Sequence, residues 1–521
     1  MKKFNVTGTC VPLKHYMVDI SGKLEKIIKL VDDGCYFTIS RARQYGKTTT
    51  LSRLQKTLPA EYICARISFQ GIGDESFESA EKFCAVFLDL VSHSLQFTEA
   101  EEEYIKEWKN PNVTDFPALN RHITNMCKNK KVVLMIDEVD RTSHNRVFLN
   151  FISMLRDKFL LRTEDMDYTF HSVILAGVYD IKNIKLKLIN EGLYTTASTE
   201  GNIYNSPWNI AVNFDVDMSF GPAEISTMLK EYEADYNTGM DITAISGEIY
   251  DYTSGYPFLV SRICQYIDEE LDKNWTADGV KESVKLLIEE KNTLFDDLSK
   301  NLENSADLYN LIYEVLIVGS YMTFNYHNPT VNLGFMYGII KKGSPYIIIS
   351  NKIFEMVICE YFISKDEEKN INKYKGTQHD ITKTGRFDME LCLRKFAEHY
   401  AEIFNKNDIE FLERHGRLIF LSYLKPLING QGFYHIESQF TDLRRMDIVV
   451  DFGNEQFIIE LKLWRGEAYE KEAYEQLLGY MESKKADTGY ILTFDFRKES
   501  NKEHKTEWLY FDGKKIFEVI V

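Results

Sequence analysis

The segment that most constrains the fold is Gly46-Lys47-Thr48, which lies between a predicted strand and a predicted helix. Residues 35–39 are apolar and rich in β-formers, which predicts a short buried strand, and residues 49–58 have a helical pattern. A strand, a tight loop ending in Gly-Lys-Thr and a helix form the layout of a phosphate-binding loop. Backbone N–H groups at the start of such a helix face the phosphates, and the helix dipole favours their charge.

Each residue type in this loop has a physical reason to bind a nucleotide. Gly46 lets the backbone approach the phosphates, Lys47 reaches the β- and γ-phosphates, and Thr48 holds Mg²⁺. The full motif has a glycine five residues before Gly46, and Arg41 stands there instead. The predicted nucleotide-binding residues of the loop are Arg43, Gln44, Tyr45, Gly46, Lys47, Thr48 and Thr49.

A second motif follows at a domain-sized distance. Residues 132–136 are a continuous apolar run, typical of a parallel strand buried on both faces, and Asp137 and Glu138 follow directly. Asp137 would complete the Mg²⁺ shell, and Glu138 would polarise the attacking water. Either motif alone also occurs by chance. The two in this order predict that the chain binds ATP.

Composition limits the cellular setting and the partners. A chain of 521 residues predicts two to four domains. The net charge of −17 excludes a generally basic surface for nucleic acid, so such contacts require a local patch. The eight cysteines form no Cys-x-x-Cys pair, which is typical of reduced cytosolic thiols. With no apolar signal core and no apolar run of membrane length, we expect a cytoplasmic protein without a membrane partner.

Alternating strands and helices in residues 1–178 predict a mainly parallel sheet with helices on both faces. Two further features could serve the nucleotide. Tyr179 and Asp180 follow the last strand, where a nucleotide-sensing side chain often lies, and Arg262 follows Ser254-Gly255-Tyr256-Pro257 in a predicted helical lid. A turn that caps the strand and an exposed helix arginine are the simpler readings.

Four segments carry a resemblance to a known family. They are Tyr16-Met17-Val18-Asp19, Tyr36-Phe37-Thr38-Ile39, Arg43-Gln44-Tyr45-Gly46-Lys47-Thr48-Thr49-Thr50 and Ile136-Asp137-Glu138. Over residues 10–365 the chain resembles the bacterial AAA-like P-loop ATPases, whose loop typically carries arginines where a glycine is expected. The resemblance implies an ATPase core in residues 1–215 and a helical lid in residues 216–300, and it suggests a role in bacterial defence or conflict.

The segments after the lid predict a small domain and a linker. Helical patterns at residues 308–318, 331–340 and 352–362, with a strand at 346–349, resemble a winged helix over residues 301–365. Its candidate recognition segment, residues 331–337, is poor in Lys and Arg, so we expect a packing role rather than DNA binding. Residues 366–388 are charged and non-periodic at their start, which predicts a linker.

Residues 389–521 predict a second chemical site. After two helices and a strand, residues 445–464 alternate strictly between apolar and mostly polar side chains, around a Gly453-Asn454 turn. If Phe452 pairs with Glu455, Asp447 faces Glu460 across the hairpin, with Lys462 on the same face. Opposed residues have Cβ atoms ~4.5–5.5 Å apart, close enough to share a divalent ion. An exposed face with ordinary ion pairs does not explain two opposed carboxylates, whereas a site for Mg²⁺ or Mn²⁺ does.

This pattern resembles the PD-(D/E)XK nuclease superfamily over residues 390–510. Asp447 takes the first acidic position, although Met446 replaces the usual proline, and Glu460-Leu461-Lys462 forms the second motif. The resemblance implies that Asp447 and Glu460 bind the metal, with Glu413 a candidate third ligand, and that Lys462 orients the attacking water or stabilises charge on the phosphate. It also implies that Gln476 and Tyr480, one helical turn apart, position the strand.

The predicted fold class is therefore α/β. It combines a P-loop ATPase core with a helical lid, a winged-helix-like domain and a C-terminal restriction-endonuclease-like domain. We expect an ATP-hydrolysing protein coupled to a metal-dependent nuclease, with nucleic acid, DNA before RNA, as partner and a homo-oligomer left open. Arg444, Arg445 and Arg465 could contact phosphates. The alternative is a nucleotide-dependent switch whose nuclease-like domain binds nucleic acid without cleaving it.

Overall fold

The computed structural model describes most of the chain. The described residues are 2–141, 145–178, 208–370, 381, 386–403, 409–428, 432–438, 446–453, 455–463, 467–495, 506–511 and 513–521. Among these, only the backbone is described for 141, 367–370, 401–403, 409–414, 437–438, 446–447, 463, 467–473 and 476. Two compact units divide the chain: residues 1–283 with 333–338, and residues 284–332 with 339–521.

A four-stranded parallel sheet forms the centre of the first unit. Its strands are β1 (Tyr36–Ser40), β2 (Tyr62–Ser68), β3 (Lys131–Asp137) and β4 (Ser172–Gly177). They pair in the order β1-β4-β3-β2. The strands predicted at residues 35–39 and 132–136 correspond to β1 and β3, each to within one residue at either end.

Helices cover both faces of this sheet. They are α1 (Ser21–Asp32), α2 (Lys47–Thr57), α3 (Ala80–Leu95), α4 (Glu102–Trp108), α5 (Phe116–Cys127) and α6 (Arg146–Thr163). Leu134 belongs to an apolar cluster on one face, and its neighbours Val133 and Met135 belong to a second cluster on the other. Because both faces of β3 are buried, the strand is apolar along its length.

Further helices follow the sheet in the chain. They are α7 (Pro222–Tyr236), α8 (Ile242–Thr253), α9 (Pro257–Glu269) and α10 (Ala277–Glu289). The N-terminal segment packs on α7, where the ring of Tyr16 lies 5.2 Å from that of Tyr232 and its hydroxyl donates to Asp235 at 2.7 Å. The predicted helical lid, residues 216–300, thus consists mainly of helices joined by short connections.

The elements around residues 293–370 follow the predicted order with two corrections. They are α11 (Thr293–Glu303), α12 (Ala306–Tyr313) with a π turn at Glu314–Val318, α13 (Pro329–Met336), β5 (Ile340–Lys342), β6 (Ile347–Ile349) and α14 (Lys352–Asn370). The helix predicted to reach residue 340 ends at Met336, since Gly338 has φ +70° and Ile340 pairs with Ile349. The linker predicted from residue 366 is also wrong at its start, because α14 continues to Asn370.

The second unit contains a six-stranded mixed sheet. Its elements are α15 (Met389–Ile403), α16 (Ile409–Ile428), β7 (Gly432–Ser438), β8 (Met446–Phe452), β9 (Glu455–Leu463), α17 (Glu467–Lys484), β10 (Thr488–Phe494), β11 (Thr506–Phe511) and β12 (Lys514–Ile520). The strand order is β11-β12-β10-β9-β8-β7. Strands β9, β10 and β12 run parallel, and the remaining neighbours are antiparallel.

Helix α14 packs within this second unit. The carboxylate of Glu360 pairs with Lys425 of α16 and accepts a hydrogen bond from the Tyr434 hydroxyl of β7 at 3.3 Å. No described helix combines the length and the apolar character that crossing a membrane requires.

Candidate functional site

The phosphate-binding loop has the backbone that its sequence predicts. Strand β1 enters the loop, and Gly46 (φ +77°) turns the chain into α2, with Lys47 as the first helical residue. A left-handed conformation at this point favours glycine. The first N–H groups of α2 are thereby left at the helix start, where no intrahelical acceptor exists. This is the backbone arrangement that binds phosphate.

Lys47 is buried inside its own loop. Its side chain is 7% exposed, and Nζ donates to the carbonyl oxygens of Arg41 at 2.9 Å and Ala42 at 2.8 Å. Burial lowers the pKa of Lys47, and the nearby carboxylates of Asp140, Glu138 and Asp137 oppose that shift. A cation is therefore held where the phosphates of a nucleotide would bind.

The two predicted motifs meet at the carboxyl end of the sheet. The Thr48 hydroxyl of α2 donates to Oδ2 of Asp137 at 2.7 Å. A hydroxyl oxygen and a carboxylate oxygen that lie next to each other are metal ligands of the kind that Mg²⁺ prefers. This donor set fits the ion, and Thr48 and Asp137 are the residues that would hold it.

Glu138 follows β3 in a strained conformation. Its φ is +57°, and its N–H donates to Oδ1 of Asp137 at 3.0 Å. Burial raises the pKa of Glu138, whereas the Lys47 charge acts in the opposite direction. Left-handed backbone at a non-glycine residue costs energy and is concentrated at functional sites. A carboxylate whose pKa lies above the usual range is a better proton acceptor, which suits a residue that polarises water.

The turn at the start of α9 contacts the loop directly. The Tyr256 hydroxyl donates to the carbonyl oxygen of Arg43, and the Tyr256 ring lies 4.7 Å from that of Tyr45 in an edge-on contact. The side chain of Pro257 lies against Gly46. This turn belongs to the predicted lid, but its contacts with the loop could not be predicted, since nothing local indicates which residues face the loop.

The other predicted loop and lid residues differ in exposure and in their hydrogen-bond partners. Arg43 and Gln44 are exposed, and the Thr49 hydroxyl accepts a hydrogen bond from the Cys10 N–H at 3.2 Å. Arg262 donates to Gln265 at 2.7 Å and to the Tyr266 hydroxyl at 3.2 Å, both on its own helix. Its contact with a nucleotide stays a prediction. Tyr179 and Asp180 lie outside the described residues.

One acid that the sequence analysis did not single out lies at the same edge. Oδ2 of Asp140 accepts a hydrogen bond from the Val178 N–H at 2.5 Å, just beyond the end of β4. The signal was present as the third acid of Asp137-Glu138-Val139-Asp140. It was missed because nothing in the sequence alone indicates that the chain turns back towards β4 after Glu138.

In the second unit, the predicted hairpin register is confirmed. Phe452 pairs with Glu455, Asp451 with Gln456, Val449 with Ile458, and Asp447 with Glu460. Gly453 has φ +57°, as a tight turn requires, and Asn454 lies outside the described residues.

Polar side chains are buried beside this hairpin. Glu460 is 1% exposed and Lys462 is 4% exposed. The Lys462 Nζ lies 5.5 Å from the centre of the Tyr474 ring, and the Tyr474 hydroxyl donates to Oε2 of Glu518 at 2.6 Å. Thr493 donates to the other oxygen of Glu518 at 3.2 Å. Glu518 was missed because β12 lies far from β9 in sequence, and Tyr474 because nothing local indicates which side of α17 faces the sheet.

Some predicted nuclease residues are described only through their backbone. These are Asp447, Glu413 and Gln476, while Arg444, Arg445 and Arg465 lie outside the described residues. Among the side chains that are described, no three of His, Cys, Asp or Glu are arranged to hold a metal ion. The metal ligand set of the hairpin therefore stays a prediction.

Two further side chains of the second unit have described contacts. Tyr480 lies in an apolar cluster with Val449 and Ile458. Arg417 of α16 donates from Nη1 to the carbonyl oxygens of Leu316 at 3.0 Å and Ile317 at 2.9 Å, in the π turn after α12.

Comparison with known proteins finds a family match for the first part of the chain. A family model described as "AAA-like domain" matches residues 15–355. An uncharacterized WD repeat-containing protein of Synechocystis sp. is 22% identical over an alignment of 366 residues that covers 64% of this chain. The matched region spans only 28% of the length of that relative.

Two solved structures match much of this chain at low sequence identity. The Walker-type ATPase of Pyrococcus abyssi is 11% identical with a TM-score of 0.47, covering 68% of this chain and 99% of that one. The ORC2 protein of Aeropyrum pernix, in ADPNP–ADP complexes, is 12% identical with a TM-score of 0.39, covering 70% and 98%.

Proposed function

The chain belongs to the AAA-like domain family, and from this premise we propose that its first unit binds and hydrolyses ATP. We propose further that the sheet of its second unit is a divalent-metal-dependent nuclease that cleaves phosphodiester bonds. The observation that carries the ATPase proposal is the 2.7 Å hydrogen bond between Thr48 and Asp137. This hydrogen bond brings together the phosphate-binding loop and the acidic end of β3, the two motifs that a P-loop ATPase needs.

The residues of the first unit divide the work of hydrolysis. The N–H groups at the start of α2 bind the phosphates, and Lys47 exchanges the carbonyl oxygens of its own loop for phosphate oxygens. Glu138 orients the attacking water and accepts its proton. Thr48 and Asp137 hold Mg²⁺, which when bound neutralises negative charge that develops on the phosphates.

The nuclease proposal rests on the register that sets Asp447 opposite Glu460. Like charges directly opposite each other in a sheet are unfavourable, and a shared divalent cation offsets that repulsion. Asp447 and Glu460 bind a divalent ion, with Glu413 as a third ligand and Gln476 positioning the nucleic acid strand. When bound, this ion lowers the pKa of the attacking water. Lys462 orients that water or stabilises charge on the phosphate.

Family resemblance adds a setting to this proposal. We place the protein in the bacterial cytoplasm, in defence or conflict, with DNA as the preferred nucleic acid. ATP then controls assembly or access of substrate to the second unit.

One experiment tests both activities. The purified chain is incubated with Mg²⁺ or Mn²⁺ and with single- and double-stranded DNA and RNA, with and without ATP. Release of inorganic phosphate reports the ATPase, and shortening of end-labelled strands reports the nuclease. Phosphate release without cleavage of any of these DNA or RNA substrates would favour the nucleotide-dependent switch and would contradict the nuclease proposal.

A further inference from the structure

We propose that Asp140 is a positioning residue that joins the turn after β3 to the phosphate-binding loop through the end of β4. The inference rests on the proposed ATPase and deepens it, because it assigns a role to a residue outside both motifs. Three consecutive hydrogen bonds carry the argument.

The first bond fixes the end of β4. After Asp137, the positive φ of Glu138 and the short 3-10 turn Val139–Arg141 redirect the chain. Asp140 therefore returns to the neighbouring strand, where its carboxylate accepts the Val178 N–H at 2.5 Å. A charge-assisted bond to a backbone N–H is about twice as strong as a neutral one.

The second and third bonds connect the end of β4 to Lys47. The carbonyl oxygen of Gly177 accepts the N–H of Arg41 at 3.1 Å, where β1 ends and the loop begins. The carbonyl oxygen of Arg41 in turn accepts Nζ of Lys47 at 2.9 Å. Asp140, Gly177–Val178, Arg41 and Lys47 thus form one connected path across the carboxyl ends of β3, β4 and β1.

Gly177 is shaped for this contact. A Cβ atom at residue 177 would lie 2.7 Å from Oδ1 of Asp140 and 2.9 Å from Oδ2 and Cγ. Real Cβ contacts are not this short, so any side chain at residue 177 displaces the carboxylate. Residue 177 is the last of β4 and has ordinary strand backbone, so alanine there is disfavoured by the contact alone.

This geometry allows Asp140 to be disturbed in two independent ways. Asp140→Ala removes the acceptor, whereas Gly177→Ala keeps every charged group and moves the carboxylate. Asp140→Asn retains an amide oxygen that can accept the Val178 N–H, so it is the conservative rescue. Asp157→Ala, at an exposed acid on α6, is the matched control.

The test measures ATP turnover, nucleotide affinity and amide exchange in the full chain. We expect Asp140→Ala and Gly177→Ala each to lower kcat roughly 10- to 100-fold. ATP affinity should change little, since the helix start and Lys47 remain. Asp140→Asn should recover most of kcat, and hydrogen–deuterium exchange in residues 172–178 and 41–47 should speed up in the Ala variants only.

Several outcomes would overturn the proposal. Wild-type turnover by Asp140→Ala removes any positioning role, and equal loss in Asp140→Asn and Asp140→Ala shows that the hydrogen bond is not what matters. A wild-type chain without ATP hydrolysis refutes the proposed function instead. The exchange measurement then decides the inference alone, because unchanged exchange in both Ala variants means that Asp140 does not hold this edge. Thermal unfolding identifies a variant that fails to fold, and the other variant then carries the test.

Discussion

The ammonium group of Lys47 is buried against two carbonyl groups of its own loop, so it is poised to exchange them for phosphate. We predict that Lys47→Ala abolishes ATP hydrolysis and leaves the fold intact. Phosphate release and thermal unfolding measure the two effects. Lys56→Ala, an exposed lysine on the same helix, is the control and should hydrolyse ATP normally. Equal hydrolysis by Lys47→Ala and the wild type would remove the ATPase proposal.

Glu138 separates binding from turnover. Glu138→Gln keeps Thr48 and Asp137, the residues assigned to Mg²⁺, and removes the group that accepts a proton. We predict that this variant binds ATP with near wild-type affinity and turns over slowly, typically about 10²–10⁴-fold less for loss of a general base. Binding is measured with a fluorescent ATP analogue. Loss of binding would mean that the roles of Asp137 and Glu138 have been assigned wrongly.

The raised pKa of Glu138 also has a consequence for stability. A carboxyl group whose pKa is higher in the folded than in the unfolded chain costs stability once pH exceeds its unfolded pKa. Without nucleotide, Glu138→Gln should therefore melt higher than the wild type near pH 7.5. The difference should vanish near pH 4, where both side chains are neutral. In a domain of this size each kcal/mol recovered raises Tm by about 2–4 °C. A difference in Tm that does not change with pH would contradict the assignment of this effect to the Glu138 carboxyl group.

At the scale of elements, the hairpin β8–β9 carries the sharpest prediction. Its register sets Asp447 opposite Glu460, so Asp447→Ala and Glu460→Ala should each abolish metal-dependent cleavage without lowering Tm. The metal-free variants can even melt slightly higher, because removing one acid relieves repulsion. Glu455→Ala, an exposed acid on the same strand, is the matched control and should cleave normally. Full cleavage by either alanine variant would remove the nuclease proposal.

Local patterns predicted some elements well. The β1–loop–α2 segment and the hairpin register follow from rules that act over a few residues: a glycine with positive φ, and a two-residue turn that fixes pairing. Where α13 and α14 end depends on contacts elsewhere. Lys365 pairs with Glu303 at 3.4 Å, and the helix it belongs to is held by buried residues such as Phe354 and Phe362. The charged end of α14 has no apolar face, yet it continues the helix because the preceding turns are anchored by buried apolar residues.

Distant contacts account for the residues that the sequence did not reveal. Glu518 accepts a hydrogen bond from Tyr474 of α17, which lies near Lys462, and this grouping forms because β12 and β9 both pair in parallel with β10. Asp140 meets Val178 only because β3 and β4 are neighbours in the sheet. A single sequence states residue types and spacing but not strand order. The motif residues could therefore be predicted, whereas the residues that support them could not.

For the whole molecule, nucleotide binding should increase resistance to thermal unfolding. A ligand that binds only the folded chain stabilises it by about 2.7 kcal/mol at 100 times its Kd. We therefore predict that ATP with Mg²⁺ raises the first unfolding transition of the wild type and has little effect on Lys47→Ala. Differential scanning calorimetry with increasing ATP measures the shift. An unfolding profile that does not respond to ATP would contradict nucleotide binding by the first unit.

Helix α14 has a consequence for where the chain can be divided without breaking contacts. The AAA-like match ends at residue 355, inside α14, yet Glu360 of that helix pairs with Lys425 and accepts from Tyr434 in the second unit. A recombination event with its breakpoint in residues 366–388 would leave these partners of Glu360 behind. Exchange of the C-terminal sheet between genes therefore has to carry α14 with it.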